Sequence, residues 1–206
     1  MKRLAFIDVQ NTTSTTQRML HFVIDWQKLC GYLKNRWECE RIFFYSGIEL
    51  GDEKTATEFD MLSADFNCTI RAKTIMAFKN PDIAVPYKCA GCGEEGVKTV
   101  ETGYRRKSNC DVELTVDAME NAGPDTEFLI FTADGDFTYL IEALIGKGVK
   151  VYIVSNARRY IDRAGITQSR FSTKLRELIA RNSKAATMID IARWKDIVKK
   201  DIPIGN

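Results

Sequence analysis

The chain has 206 residues, 45% hydrophobic and 28% charged, with a formal net charge of +2; this is an ordinary globular composition, able to bury a real core and far from that of a disordered chain. No apolar run approaches the ~20 residues of a membrane-spanning helix, and the opening Met1-Lys2-Arg3-Leu4-Ala5-Phe6 meets Asp8 too soon for a secretory signal. A cytoplasmic protein without a membrane partner is expected, its six cysteines reduced.

Residues 3–9 read as a buried strand that ends in an acid, Leu4-Ala5-Phe6-Ile7-Asp8. A cluster rich in helix-capping residues, 11–16, precedes Met19, Phe22, Val23, Trp26, Leu29 and Leu33 at helical spacing, which predicts one amphipathic helix ending near Lys34 or Asn35. Residues 41–46 form the next predicted strand, 53–65 a helix with Phe59 and Leu62 inward, and 68–71 a short third strand. The rhythm breaks over 77–106, which holds two prolines and four glycines and reads as an insertion, either a long loop or a segment with local structure of its own. A helix is then expected from Ser108 through Asn121, followed by a strand at 127–132, a helix at 136–146 and a strand at 149–154. Residues 157–200 read as mostly helical, with a short strand near 187–189. Repeated βα alternation implies a single α/β domain over 1–206, a doubly wound and mainly parallel sheet with helices on both faces.

Charge is unevenly spread. Residues 1–156 carry 18 basic and 23 acidic side chains, whereas 157–206 carry 12 basic and 5 acidic. A cationic flank beside an anionic half suits a protein that grips a phosphate backbone, or is simply a solvated helical surface. Five acids stand against the βα rhythm: Asp8, Asp111, Asp117, Asp134 and Asp136. Residues just past strand ends meet in one crevice at the carboxyl edge of a parallel sheet. Carboxylates gathered there repel one another unless protonated or sharing a cation, and Mg²⁺ or Mn²⁺ prefers such oxygen ligands. Taken singly, each acid has a structural explanation. Asp136 could cap the helix after it, Asp134-Gly135 is turn chemistry, Asp111 suits a helix N-terminus, and Asp117 lies about 120° further round the same helix. Asp8 is hardest to explain so, because an acid closing an apolar strand gains nothing from packing. Asn11 is either a turn residue or a ligand.

Three blocks carry a resemblance: Phe6-Ile7-Asp8-Val9-Gln10-Asn11; Lys107-Ser108-Asn109-Cys110-Asp111 through Asp117; and Thr132-Ala133-Asp134-Gly135-Asp136-Phe137 with Gly146-Lys147-Gly148-Val149-Lys150-Val151. In this order and spacing they resemble the NYN domain family (LabA-like, DUF88) of the PIN-like nuclease superfamily, over roughly residues 3–190. The resemblance implies a PIN-like, Rossmannoid sheet of order 3-2-1-4-5 and cleavage of RNA dependent on Mg²⁺ or Mn²⁺. It assigns Asp8, Asp111, Asp134 and Asp136 as catalytic, metal-site acids, Asn11 as a neighbouring polar residue, and Asp117 as a supporting or outer acid. Cys110 departs from the small apolar residue usual before the helix acid, and the 77–106 insertion exceeds the family minimum. The family also contains members without demonstrated nuclease activity, so an inactive RNA-binding or regulatory module is the alternative.

For phosphate contacts the candidates are Arg71 and Lys73 after the third strand, Arg105, Arg106 and Lys107 before the acidic helix, and Arg158 and Arg159 after the fifth strand. His21, the only histidine, sits among Leu20, Phe22 and Val23 and suits packing better than base catalysis. A haloacid-dehalogenase mechanism expects an acid at position 10, which is Gln, and neither GxGxxG after the first strand nor GxxxxGK[ST] is present. Cys89-Ala90-Gly91-Cys92-Gly93 has the form of a zinc half-site. Cys68 and Cys110, or the same pair from a homodimer partner, would have to complete it; the alternative is a glycine-rich turn with two free thiols.

Overall fold

A computed structural model describes residues 1–161 and 165–201, apart from the side chains of 105–107. The chain opens with β1 (Lys2–Asp8), in which Leu4 to Ile7 are wholly buried. Then come α1 (Val9–Leu20), α2 (Trp26–Asn35), β2 (Arg41–Ile48), α3 (Glu53–Phe66) and β3 (Thr69–Thr74). The insertion holds β4 (Met76–Lys79), β5 (Ile83–Lys88), β6 (Glu95–Val100) and β7 (Tyr104–Lys107). After it follow α4 (Asp111–Asn121), β8 (Thr126–Phe131), α5 (Thr138–Gly146) and β9 (Lys150–Ser155). The remainder is β10 (Tyr160–Ile161), β11 (Thr167–Gln168), α6 (Thr173–Arg181), β12 (Ala186–Asp190) and α7 (Lys195–Val198).

Six strands form one parallel sheet in the order β12-β9-β8-β1-β2-β3. Parallel strands are buried on both sides, which is why they read as continuous apolar runs. Alternation along β1 divides the core. Leu4 and Phe6 face Leu114 and Ala118 of α4, Ile141 and Leu144 of α5, and Leu175 and Leu178 of α6. Ala5 and Ile7 face the opposite layer, where Leu29 and Leu33 of α2, Phe59 and Leu62 of α3, Trp194 and Val198 pack. The first half of the chain winds outward from β1 through β2 to β3, and the second from β8 through β9 to β12. The winding therefore reverses between β1 and β8, and a crevice opens at the carboxyl edge of such a reversal.

Several sequence expectations change. The single helix predicted through Lys34 is two, because His21 takes a left-handed backbone conformation (φ 54°) and closes α1, while Asp25 accepts from the Lys28 N–H and starts α2. Between them Ile24 pairs with Lys199, and Val23 is 47% exposed instead of facing the core. The implied order 3-2-1-4-5 gains a sixth strand, β12, which pairs with β9. The short strand expected near 187–189 is this β12, but the predicted mostly helical 157–200 also holds β10 and β11 and only two α-helices among its described residues. The acidic helix begins at Asp111 instead of near Ser108; Ser108 Oγ donates to the Lys73 carbonyl and leaves the cap to others. Of the two forms expected for the 77–106 insertion, it takes local structure of its own: a β-ribbon, β4 against β7 and β5 against β6, both antiparallel.

Candidate metal centre

At the reversal point Asp8 ends β1 and caps α1, its Oδ1 accepting the Asn11 N–H at 3.0 Å. Asn11 turns its own Oδ1 to the Ala133 N–H at 2.9 Å, tying the start of α1 to the loop after β8. In that loop Asp134 Oδ1 accepts from the Asp136 N–H at 3.0 Å, and the Asp134 N–H donates to Thr132 Oγ1 at 3.1 Å. Asp111 arrives from the other side, at the first turn of α4. Its N–H donates to Asn109 Oδ1 and its Oδ2 accepts from Asn109 Nδ2, both at 2.7 Å. Asp8, Asp111 and Asp134 thereby line one cavity of about 390 Å³, together with Gln10, Asn11, Ser14, Ser108 and Arg170. A second hollow of about 410 Å³ adjoins it, sharing Asn11, Asp134 and Arg170 and adding Asp136 and Lys174.

The electrostatics follow from this gathering. Burial raises the Asp8 carboxyl to a pKa of about 6, opposed by the Asn11 N–H and reinforced by the charges of Asp111 and Asp134. Asp111 is also pushed above the ordinary carboxylate range, by burial first and then by Asp134 and Asp136, against the Asn109 hydrogen bond. Among the described residues no three His, Cys, Asp or Glu side chains form a tight cluster able to hold a metal ion. The oxygen donors that share the cavity suit a Mg²⁺ that keeps much of its water shell and takes only one or two carboxylates directly.

The other candidates are distributed differently. Asp117 is buried and takes no part in the cavity. It receives Arg71 through two hydrogen bonds, Nε to Oδ2 at 3.0 Å and Nη2 to Oδ1 at 3.1 Å, and the Tyr45 hydroxyl at 3.0 Å. This corrects two assignments at once: a carboxylate whose oxygens are already paired makes a poor metal ligand, and its arginine is no free phosphate clamp. Lys73 pairs with Glu113 at 2.8 Å and donates to the Asn109 carbonyl at 3.1 Å, so it braces the segment that carries Asp111. Arg158 and Arg159 are exposed and line neither hollow. The side chains of Arg105, Arg106 and Lys107 lie outside the described residues.

Arg170 and Lys174 were missed by the sequence reading. The Ser172 N–H donates to the Ala133 carbonyl at 3.0 Å, which docks the segment before α6 against the Asp134 loop. A side chain at Gly135 would meet Ser172, whose Oγ would have to move. Arg176 holds the same segment through Ser169 Oγ at 2.7 Å. The available sequence signal was a basic residue just ahead of the α6 cap, Arg170-Phe171-Ser172. The two cysteines proposed to complete a zinc site do not reach Cys89 and Cys92. Cys68 lies in the core with its Sγ 3.6 Å from that of Cys30, and Cys110 is buried beside Ser46.

The family model of the NYN domain matches residues 3–173, through β1, both acid-bearing loops and the start of α6. The chain belongs to the NYN domain family. Its members are PIN-like nucleases as a group. The chain is also similar to the low amplitude and bright protein LabA of Synechococcus elongatus, 25% identical over 156 residues that make up 74% of this chain and 73% of LabA. Among solved structures, a Vibrio parahaemolyticus protein of unknown function has the same fold, with a TM-score of 0.58, 20% identity, and coverage of 96% of this chain and 95% of that one. No helix among the described residues is long and apolar enough to cross a membrane.

Proposed function

We propose that this NYN domain is a metal-dependent endoribonuclease that hydrolyses RNA phosphodiesters in the Asp8–Asp111–Asp134 cavity. The observation that carries the reading is the convergence of three acids, from β1, α4 and the β8 loop, on one hollow, where the charges of Asp111 and Asp134 add to the burial that raises the proton affinity of Asp8. A divalent ion bound there supplies Lewis-acid polarisation of the phosphate and makes water acidic enough to ionise near neutral pH. Asp8 and Asp134 are the direct ligands in this reading, each fixed by a backbone N–H that leaves a second carboxylate oxygen for the cavity. Asp111 completes the negative field, and Asp136 serves from the adjoining hollow. Asn11 is a positioning residue, because its side chain holds the Asp134 loop against α1. Arg170 and Lys174 offer the positive charge an RNA backbone needs beside so anionic a site.

The test is cleavage of single-stranded RNA by the purified chain with Mn²⁺ or Mg²⁺, compared with EDTA and with Asp8→Asn. Cleavage that requires both the metal and Asp8 supports the proposal. RNA that is bound yet stays intact in every arm would replace it with a non-catalytic RNA-binding module.

A further inference from the structure

The β5–β6 hairpin ends in a turn built around two cysteines. The Cys89 N–H donates to the Glu94 carbonyl at 2.8 Å, and the Gly93 N–H, at φ 74°, returns to the Cys89 carbonyl at 2.9 Å. The Gly91 and Cys92 N–H groups are directed at Cys89 Sγ. This is how a CxxCG turn presents two sulfurs to one cation, with backbone amides supporting the thiolate charge. Cys92 is exposed and Cys89 partly so, whereas the other four cysteines are buried. A closed structural zinc site takes four ligands, and among the described residues no third Cys, His, Asp or Glu joins the pair. The turn is half of a site.

The ribbon beneath the turn is equally incomplete. Ile83 lies opposite Val100, and Val85 and Tyr87 continue the same face, with the Tyr87 ring over Gly96. These four apolar side chains are 40–54% exposed, and among the described residues β5 and β6 pack substantially on no other element. An isolated two-stranded hairpin is marginal in water and gains from a cover. We propose that Cys89 and Cys92 form half of a structural Zn²⁺ site that a second copy of this chain completes, joining two molecules through their β-ribbons. On binding, the thiols release their protons to solvent and the four thiolates close around one ion. The apolar face next to the turn is the surface on which the second copy settles. Nothing in this depends on the RNA-cleavage reading.

The experiment uses the full chain, kept reduced with a phosphine, with Zn²⁺ alone added and excess removed by dialysis. Metal content and light-scattering mass are then read together. The expected result is about one Zn²⁺ per two chains, a mass twice the 23.4 kDa of the chain, and return to monomer with EDTA. Co²⁺ in place of Zn²⁺ should give the spectrum of a tetrahedral four-thiolate site. The pair Cys89→Ser with Cys92→Ser should keep the native circular dichroism yet lose both metal and dimer. Ile83→Ser with Val85→Ser should retain the thiols and raise the concentration for zinc-driven dimerisation roughly tenfold; an unchanged midpoint would remove the apolar face from the interface. One zinc per monomer, no zinc, or a dimer indifferent to EDTA would each overturn the proposal.

Discussion

Asp8 and Asp117 are two carboxylates drawn out of water by the same fold, and their surroundings assign them opposite work. Asp117 sits on α4 with a guanidinium on both oxygens and a phenol beside them, so its charge is neutralised within the protein. Asp8 has backbone N–H groups but no cation as partners, lies near two more acids, and holds its proton to a pKa of about 6. A buried acid with a cation partner is part of the structure. A half-buried acid among other acids is a cost that folding alone does not justify, and such costs gather at functional sites.

The contrast can be broken by substitution. The largest effect should come from Asp8→Asn on Mn²⁺-dependent RNA cleavage, a loss on the order of 100-fold or more in kcat/KM. Retention of full rate would remove Asp8 from the centre. Arg71→Ala should instead cost about 2 kcal/mol of stability, because it strands a buried carboxylate, discounted because the arginine is half exposed. Denaturant unfolding measures this, and the folded variant should still cleave; a stable but inactive Arg71→Ala would return that pair to the catalytic machinery.

Without metal, Asp8→Asn should do the reverse of most substitutions at a buried polar site. The folded Asp8 keeps its proton to about pH 6 and the unfolded one only to 3.8, so ionised Asp8 weakens the fold progressively as pH rises between those values. Asparagine caps a helix as well as aspartate does and carries no charge. In EDTA at pH 7.5 the variant should therefore be more stable, by on the order of 2 kcal/mol, with the gain gone below pH 4. A variant equally or less stable at pH 7.5 would contradict the burial and repulsion described for Asp8. The smallest effect is expected from Arg170→Ala: RNA binding weaker by about 3- to 10-fold, with the salt dependence shallower by roughly one counterion. An unchanged salt slope would place Arg170 outside the RNA path.

Much of this arrangement was legible before any coordinates. β1, β2, β8 and β9 are apolar runs because parallel strands bury both faces, and Asp8 stood out for ending one of them. Placing Asp8, Asp111 and Asp134 together needed only the rule about carboxyl edges and the family resemblance. What escaped depended on partners distant in sequence. Nothing local to Asp117 shows that Arg71, 46 positions away, will claim it. The break after α1 hides because Phe22 and Trp26 continue the helical spacing across it, while a histidine takes the left-handed position glycine usually occupies. The ribbon strands were hidden by their shortness, four to six residues each, and by the prolines and glycines that punctuate them. Arg170 reaches the acids only through the docking of Ser172 on Ala133, a backbone contact no motif records.

The central claim is that unpaired carboxylates at the reversal of the sheet form a divalent-cation site. Crystals of the chain soaked in Mn²⁺ and measured at the manganese edge test this directly. The account predicts an anomalous peak inside the cavity, within direct or one-water reach of Asp8 and Asp134, and its disappearance in Asp8→Asn. A cavity without a peak at saturating Mn²⁺, or one whose peak survives Asp8→Asn unchanged, would contradict it.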